Sequence, residues 1–117
     1  MSVEYDGYRP GIGFLTKLTN AVDRQQYTVS TAPGRTTLSG QYRYWETAVF
    51  KRGFFGSFRP LFRLEIAASD EEELRKSHYD AKEFVEKYSP AKWPRGAMDY
   101  GDFIMQYLML AHLGHIK

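Results

Sequence analysis

Cysteine is missing from this chain altogether. Disulfides, thiol catalysis and a cysteine-based zinc site are therefore excluded, although the compartment is not fixed by that absence. A charge of one dominant sign is missing too. The 16 Lys and Arg stand against 14 Asp and Glu, a formal net charge of +2, so the field of the whole molecule gives no reason to expect nucleic acid. No apolar run is long enough to span a bilayer. The most apolar stretch, FIMQYLMLAHL, is broken by Gln106 and His112 and falls well short of the ~20 residues a span requires. The opening MSVEYDGYRPG has acids early and no apolar centre, unlike a secretory signal, and it is not Arg- and Ser-rich like a transit peptide. The expectation is a soluble chain, intracellular or organellar rather than secreted.

Motifs of nucleotide chemistry are lacking as well. APGRTTLSG has Gly34 and Gly40 at the wrong spacing for a phosphate loop and no Gly-Lys-Ser/Thr. GIG at 11–13 has no third glycine and no preceding strand signal. His112 and His115 could share a metal from adjacent helical turns, but two ligands do not make a specific site, and helix C-termini favour histidine in any case. The acid–base candidates are Glu46, His78, Asp99, Tyr100 and Asp102. Of these only Glu46, among tyrosines and Trp45, has the isolation expected of a tuned carboxylate, with Arg43 or Arg63 as its partner. No nucleophile–base set is visible, so the chain reads as non-catalytic, with no cofactor, no metal and no small-molecule substrate.

What the chain does have is aromatic rings: 9 Tyr, 8 Phe and 2 Trp in 117 residues. That length fits one domain with its own core, and rings in that number favour sheets and interfaces. Residues 1–13 are rich in turn formers and read as an extended arm. Phe14, Leu15, Leu18 and Val22 have helical spacing, so 14–22 reads as a short helix. QYTVST at 26–31 alternates like a strand, and Pro33-Gly34 offers a type II turn. Residues 36–51 place Tyr42, Tyr44, Ala48 and Phe50 on one face and Arg43, Trp45, Thr47, Val49 and Lys51 on the other, with Gly40 marking a bulge. Phe58, Phe62, Leu64 and Ile66 alternate with Arg59, Arg63 and Glu65, in a strand that Pro60 confines to an edge or to a start after it. Ser69 with Glu72 forms a capping box before an acidic first turn, and Leu74, Ala81, Val85 and Tyr88 make an apolar stripe, so 69–88 is a helix. A last helix at 99–114 is apolar on most sides and must be buried, either in this domain's core or against a partner. The fold class expected is α+β: a short N-terminal helix, a three-stranded antiparallel β-meander over 26–67, and two C-terminal helices packed on one sheet face.

The function expected is protein–protein interaction, as a small accessory or structural subunit of a larger assembly, membrane-associated or not, or as an inhibitor-like binder. The motive is the stretch FKRGFFGSFRPLFR. Its Phe58-onward half is an ordinary amphipathic strand, but Phe54 and Phe55 sit between two glycines, and adjacent rings in a strand cannot both face inward. The contact residues expected are Arg52, Phe54, Phe55, Arg59 and Trp93, with the 101–113 helix as a second surface. The same tip, apolar with basic flanks, could touch a membrane peripherally. The alternative is a nucleic-acid surface. Residues 35–63 hold six bases, one acid and eight rings, so Tyr42, Tyr44 and Trp45 would stack while Arg43, Lys51 and Arg63 held phosphates.

Overall fold

In a computed structural model of the chain, residues 5–36, 43–51, 60–67 and 70–112 are described. Six strands form one sheet in the order of the sequence: β1 (Tyr5–Arg9), β2 (Gly13–Thr19), β3 (Gln26–Thr36), β4 (Arg43–Lys51), β5 (Pro60–Ile66) and β6 (Ala97–Asp99). The first five pair antiparallel. β6 lies parallel to β5, a pairing that needs a long crossover connection, which a helix supplies here. That helix is α1 (Glu71–Lys87); a 3₁₀ turn at Pro90–Lys92 follows, and α2 (Tyr100–His112) comes directly after β6. The expected N-terminal helix and three-stranded meander are therefore wrong: the sheet is six-stranded and mixed, and both α-helices follow β5.

Residues 14–22 show why. The spacing of Phe14, Leu15 and Leu18 suits a helix only if apolar residues alone are counted. In β2 the inward positions are Phe14, Thr16 and Leu18, facing Thr31, Val29 and Tyr27 of β3 across the ladder. Leu15 points to the other face, and Val22 is exposed in the following turn. The strand period is there, but a threonine occupies one of its core positions. The supposed arm is likewise structured, since Tyr5–Arg9 pairs with β2 at the sheet's edge. The tight return between them depends on Gly13, which has φ +100°. A Cβ at that position would lie 1.8 Å from the Thr31 carbonyl oxygen.

Pro33-Gly34 makes no turn. β3 runs on to Thr36, and the irregularity appears as a register shift against β4. Gly34 admits β4 closely, for a Cβ there would meet the Glu46 Cβ and the Tyr44 carbonyl oxygen at 3.3 Å. Gly40, expected at a bulge, lies outside the described residues. Pro60 opens β5, where its missing N–H does least harm, but β5 is flanked by β4 and β6 and is not an edge. The alternation of β5 is as expected, with Phe62, Leu64 and Ile66 buried and Arg63 exposed.

α1 begins one residue later than the capping box implied. Asp70 is the N-cap, its side chain accepting from the Glu73 N–H at 2.9 Å. Glu71–Arg75 and Glu83–Lys87 are the i,i+4 pairs that form on its exposed side. Both helices pack on one sheet face. The main core lies between, with Val29, Val49, Phe62, Leu64, Phe84 and Phe103 all fully or almost fully buried. Phe103 of α2 stacks on Phe62 at 5.9 Å between ring centroids and meets Phe84 edge-on at 5.6 Å. A second cluster of Phe14, Ile66 and Leu74 extends toward β1 through Tyr8 and Trp45.

Candidate functional site

The first place to look for chemistry is a seam of hydroxyls under α1. Thr31 and Thr47 face each other across β3 and β4, and Thr16 lies on the same sheet face, one inward position along β2 from Phe14, the ladder partner of Thr31. α1 places Ser77 and His78 against them. The His78 Nδ1 lies 2.9 Å from the Thr31 hydroxyl and its Nε2 2.9 Å from the Thr16 hydroxyl. Thr31 and Thr47 share a 2.7 Å hydrogen bond, and Thr47 reaches Ser77 at 3.2 Å. Phe14 stacks on the imidazole at 5.1 Å. A hydroxyl beside an imidazole is the raw material of nucleophilic catalysis. Here Thr31, Thr47, Ser77 and His78 are all 0 % exposed, so no substrate reaches them. With hydroxyls as partners, the seam fixes how α1 sits on the sheet. It was invisible in the sequence because Ser77 and His78 stand between the apolar positions that define the stripe.

Glu46, Asp99 and Tyr100 also have structural partners, whereas Asp102 is exposed in the first turn of α2 and contributes its backbone N–H. Glu46 faces Arg63 across β4 and β5 at 3.6 Å, both well short of full burial, which realises the pairing foreseen for it in a half-exposed setting. Asp99 caps α2 by accepting from the Asp102 N–H at 2.8 Å. Tyr100 donates to the Asp80 carboxylate. Burial first, and then that hydrogen bond, raise the Tyr100 phenol above the ordinary tyrosine value. Tyr27 is held in the same way by burial and by Asp23. No cluster that could hold a metal ion occurs among the described residues; His115 lies outside them.

The residues expected to stack on bases and hold phosphates are split between two faces. Tyr44 and Arg63 stand on the face away from the helices, as the ladder partners Glu46↔Glu65 and Ala48↔Arg63 require. Trp45 is on the helix side, 6.4 Å from the Tyr8 ring. Lys51 is exposed at the end of β4, in register with core residue Tyr27. Arg43 begins β4, and Tyr42 lies outside the described residues. Of the residues expected at a protein contact, Arg52, Phe54, Phe55 and Arg59 also lie outside. Trp93 belongs to the core instead: it is 5 % exposed, meets Tyr27 edge-on at 4.8 Å, and donates from its indole to the Tyr88 carbonyl.

α2 supplies the surface. Phe103 is buried and Ile104, Tyr107 and Leu110 are half-buried against the core. The opposite side carries Met105 at 71 % exposure, Leu108 at 57 % and Met109 at 58 %. Of the cover expected for this helix, from the domain's core or from a partner, the core supplies one flank. Residues 103–111 include no charged side chain. No helix among the described residues is long and apolar enough to cross a membrane. Compared with known protein families, with curated proteins and with solved structures, the chain has no match.

Proposed function

We propose that this protein is a non-catalytic protein-binding module, an accessory or structural subunit that docks through the outward face of α2. The observation that supports this reading is the uncharged ridge of Met105, Leu108 and Met109. A monomer gains nothing by leaving three large apolar side chains together in water, each worth roughly 1.5–3 kcal/mol on full burial. Contiguous apolar surface of this kind marks interaction sites, and methionine adapts to the shape of a partner. The absence of charge along the ridge favours an apolar protein surface over phosphate, which is recognised by Lys and Arg.

The test is capture of the tagged protein from cells that make it, washed at moderate and then high salt, beside a Met105→Glu/Leu108→Glu variant. A stoichiometric protein companion that survives high salt with the wild type and is lost with the variant is the expected result. Companions held equally by both, or nucleic acid released by salt, would refute the reading.

A further inference from the structure

We propose that Met105 and Met109 are a redox-modification site, where a peroxide converts both thioethers to sulfoxides, turns the apolar face of α2 polar and releases what docks there; this deepens the protein-binding reading and rests on it. The chain has no cysteine, so its 4 methionines hold all of its sulfur. Met1 lies outside the described residues. Met98 stands in β6 opposite Leu64, half-buried and packed against the main core. Met105 and Met109 are exposed. Four residues apart on one helix, they share a face with Cβ atoms about 6 Å apart, and Leu108 lies beside them. Two of the three large apolar side chains on the ridge are thus oxidisable. Leucine serves as an apolar anchor too, as Leu108 does; only methionine gives the same surface a second, polar state.

The step moves one oxygen atom and two electrons. A sulfur lone pair attacks one oxygen of the peroxide. The S–O bond forms as the O–O bond breaks, and the departing oxygen takes the proton from the transferred one. With hydrogen peroxide the products are a sulfoxide and water; the sulfur is oxidised and the peroxide reduced. A polar sulfoxide buried against an apolar partner without a hydrogen bond is unfavourable. The fold itself is untouched, because Phe103, Ile104, Tyr107 and Leu110 hold α2 to the core. Reversal requires a thiol-dependent sulfoxide reductase, since the chain has no thiol of its own.

Dilute hydrogen peroxide followed by peptide mass mapping should add one oxygen to Met105 and to Met109 several-fold faster than to Met98. The melting temperature should stay that of the untreated protein, while retention on a phenyl column falls. On capture, the oxidised protein should hold its protein companion at least about tenfold more weakly, and sulfoxide reductase with a dithiol should restore it. Met105→Leu/Met109→Leu, compared only with itself before and after peroxide, should show no such change. Met98 oxidised as fast as the other two, or unchanged retention, would overturn the proposal, as would an equal response in the double leucine variant. A companion held by the untreated wild type and kept after oxidation sinks the switch and leaves the protein-binding reading standing. An untreated wild type with no companion at all refutes that reading, and the switch with it.

Discussion

Asn20 allows the sharpest prediction about how this fold holds together. It is fully buried at the end of β2, and its amide uses every hydrogen-bonding position it has. The Nδ2 group donates to the Val85 and Tyr88 carbonyls at 2.7 Å each. Oδ1 accepts from the Val22 N–H at 2.7 Å and the Asp23 N–H at 2.9 Å. The adjacent Ala21 N–H donates to the Glu86 carbonyl at 2.7 Å. The carbonyls at the C-terminal end of α1, which a helix cannot satisfy itself, are thus satisfied by the β2–β3 turn. In Asn20→Ala the losses are unequal. Tyr88 keeps the Trp93 indole at 3.0 Å, and the turn N–H groups beside exposed Val22 can turn to water. The buried Val85 carbonyl loses a good partner at about 1–3 kcal/mol, and the remaining bonds add about 0.5–1.5 kcal/mol. The expected cost is about 1.5–4.5 kcal/mol.

Urea unfolding should therefore show a lower midpoint with an unchanged slope. Asn20→Asp separates the two halves of the pin. It keeps the acceptor for the turn but sets a carboxylate oxygen against two carbonyls. If the helix end is what matters, Asn20→Asp is at least as damaging as Asn20→Ala at neutral pH. An Asp variant close to wild type, or an Ala variant within about 0.5 kcal/mol of it, would refute the reasoning, because changes that small are typical of surface substitutions.

Gly13→Ala should unfold the protein or cost more than about 3 kcal/mol by thermal melting, since it combines a positive φ with a clash against the Thr31 carbonyl; Gly11→Ala, with a positive φ but open space around it, should cost about 1 kcal/mol. Thr31→Val should destabilise by about 1–3 kcal/mol in urea melts, for it removes a hydroxyl shared by His78 and Thr47 in the buried seam. Tyr27, Tyr100 and Tyr107 all have phenol groups raised above the ordinary value, chiefly by burial, with Asp23, Asp80 and Tyr88 respectively as hydrogen-bond partners. Groups raised in the folded state contribute stability that is fully present below the unfolded value of about 10 and lost as pH rises through the folded values. Ultraviolet titration should thus show tyrosines that ionise only with alkaline unfolding, and Tyr100→Phe should lessen the loss of stability above pH 10; equal slopes for both proteins would count against it.

How much of this was legible in the sequence differs from element to element. α1 was plain, because its acidic first turn, its stop at Ser89-Pro90 and its i,i+4 charges act within one segment. β5 was plain because Phe62, Leu64 and Ile66 alternate with polar residues whatever lies beside them. β2 was misread because Thr16 holds an inward position, and a threonine looks polar until its hydroxyl partner is known. β1 and β6 were missed because five and three residues with little apolar pattern become strands only when a neighbour offers its edge. Pro33-Gly34 signals a turn in isolation, yet the ladder of β3 and β4 carries straight through it.

The candidate surface divides along the same line. Sequence showed that the last helix was apolar on most sides. Only its packing on Phe62 and Phe84 decided that Met105, Leu108 and Met109 are the side left outward. It also sent Trp93 into the core, where its indole ties off α1. Local chemistry alone settled caps, charge pairs and the alternation of one strand, because those interactions span a few residues. Sheet order, the satisfied hydroxyl seam and the exposed ridge depend on contacts between residues far apart in the chain, such as Thr16 with His78 and Asn20 with Val85, and only the folded structure brings them together.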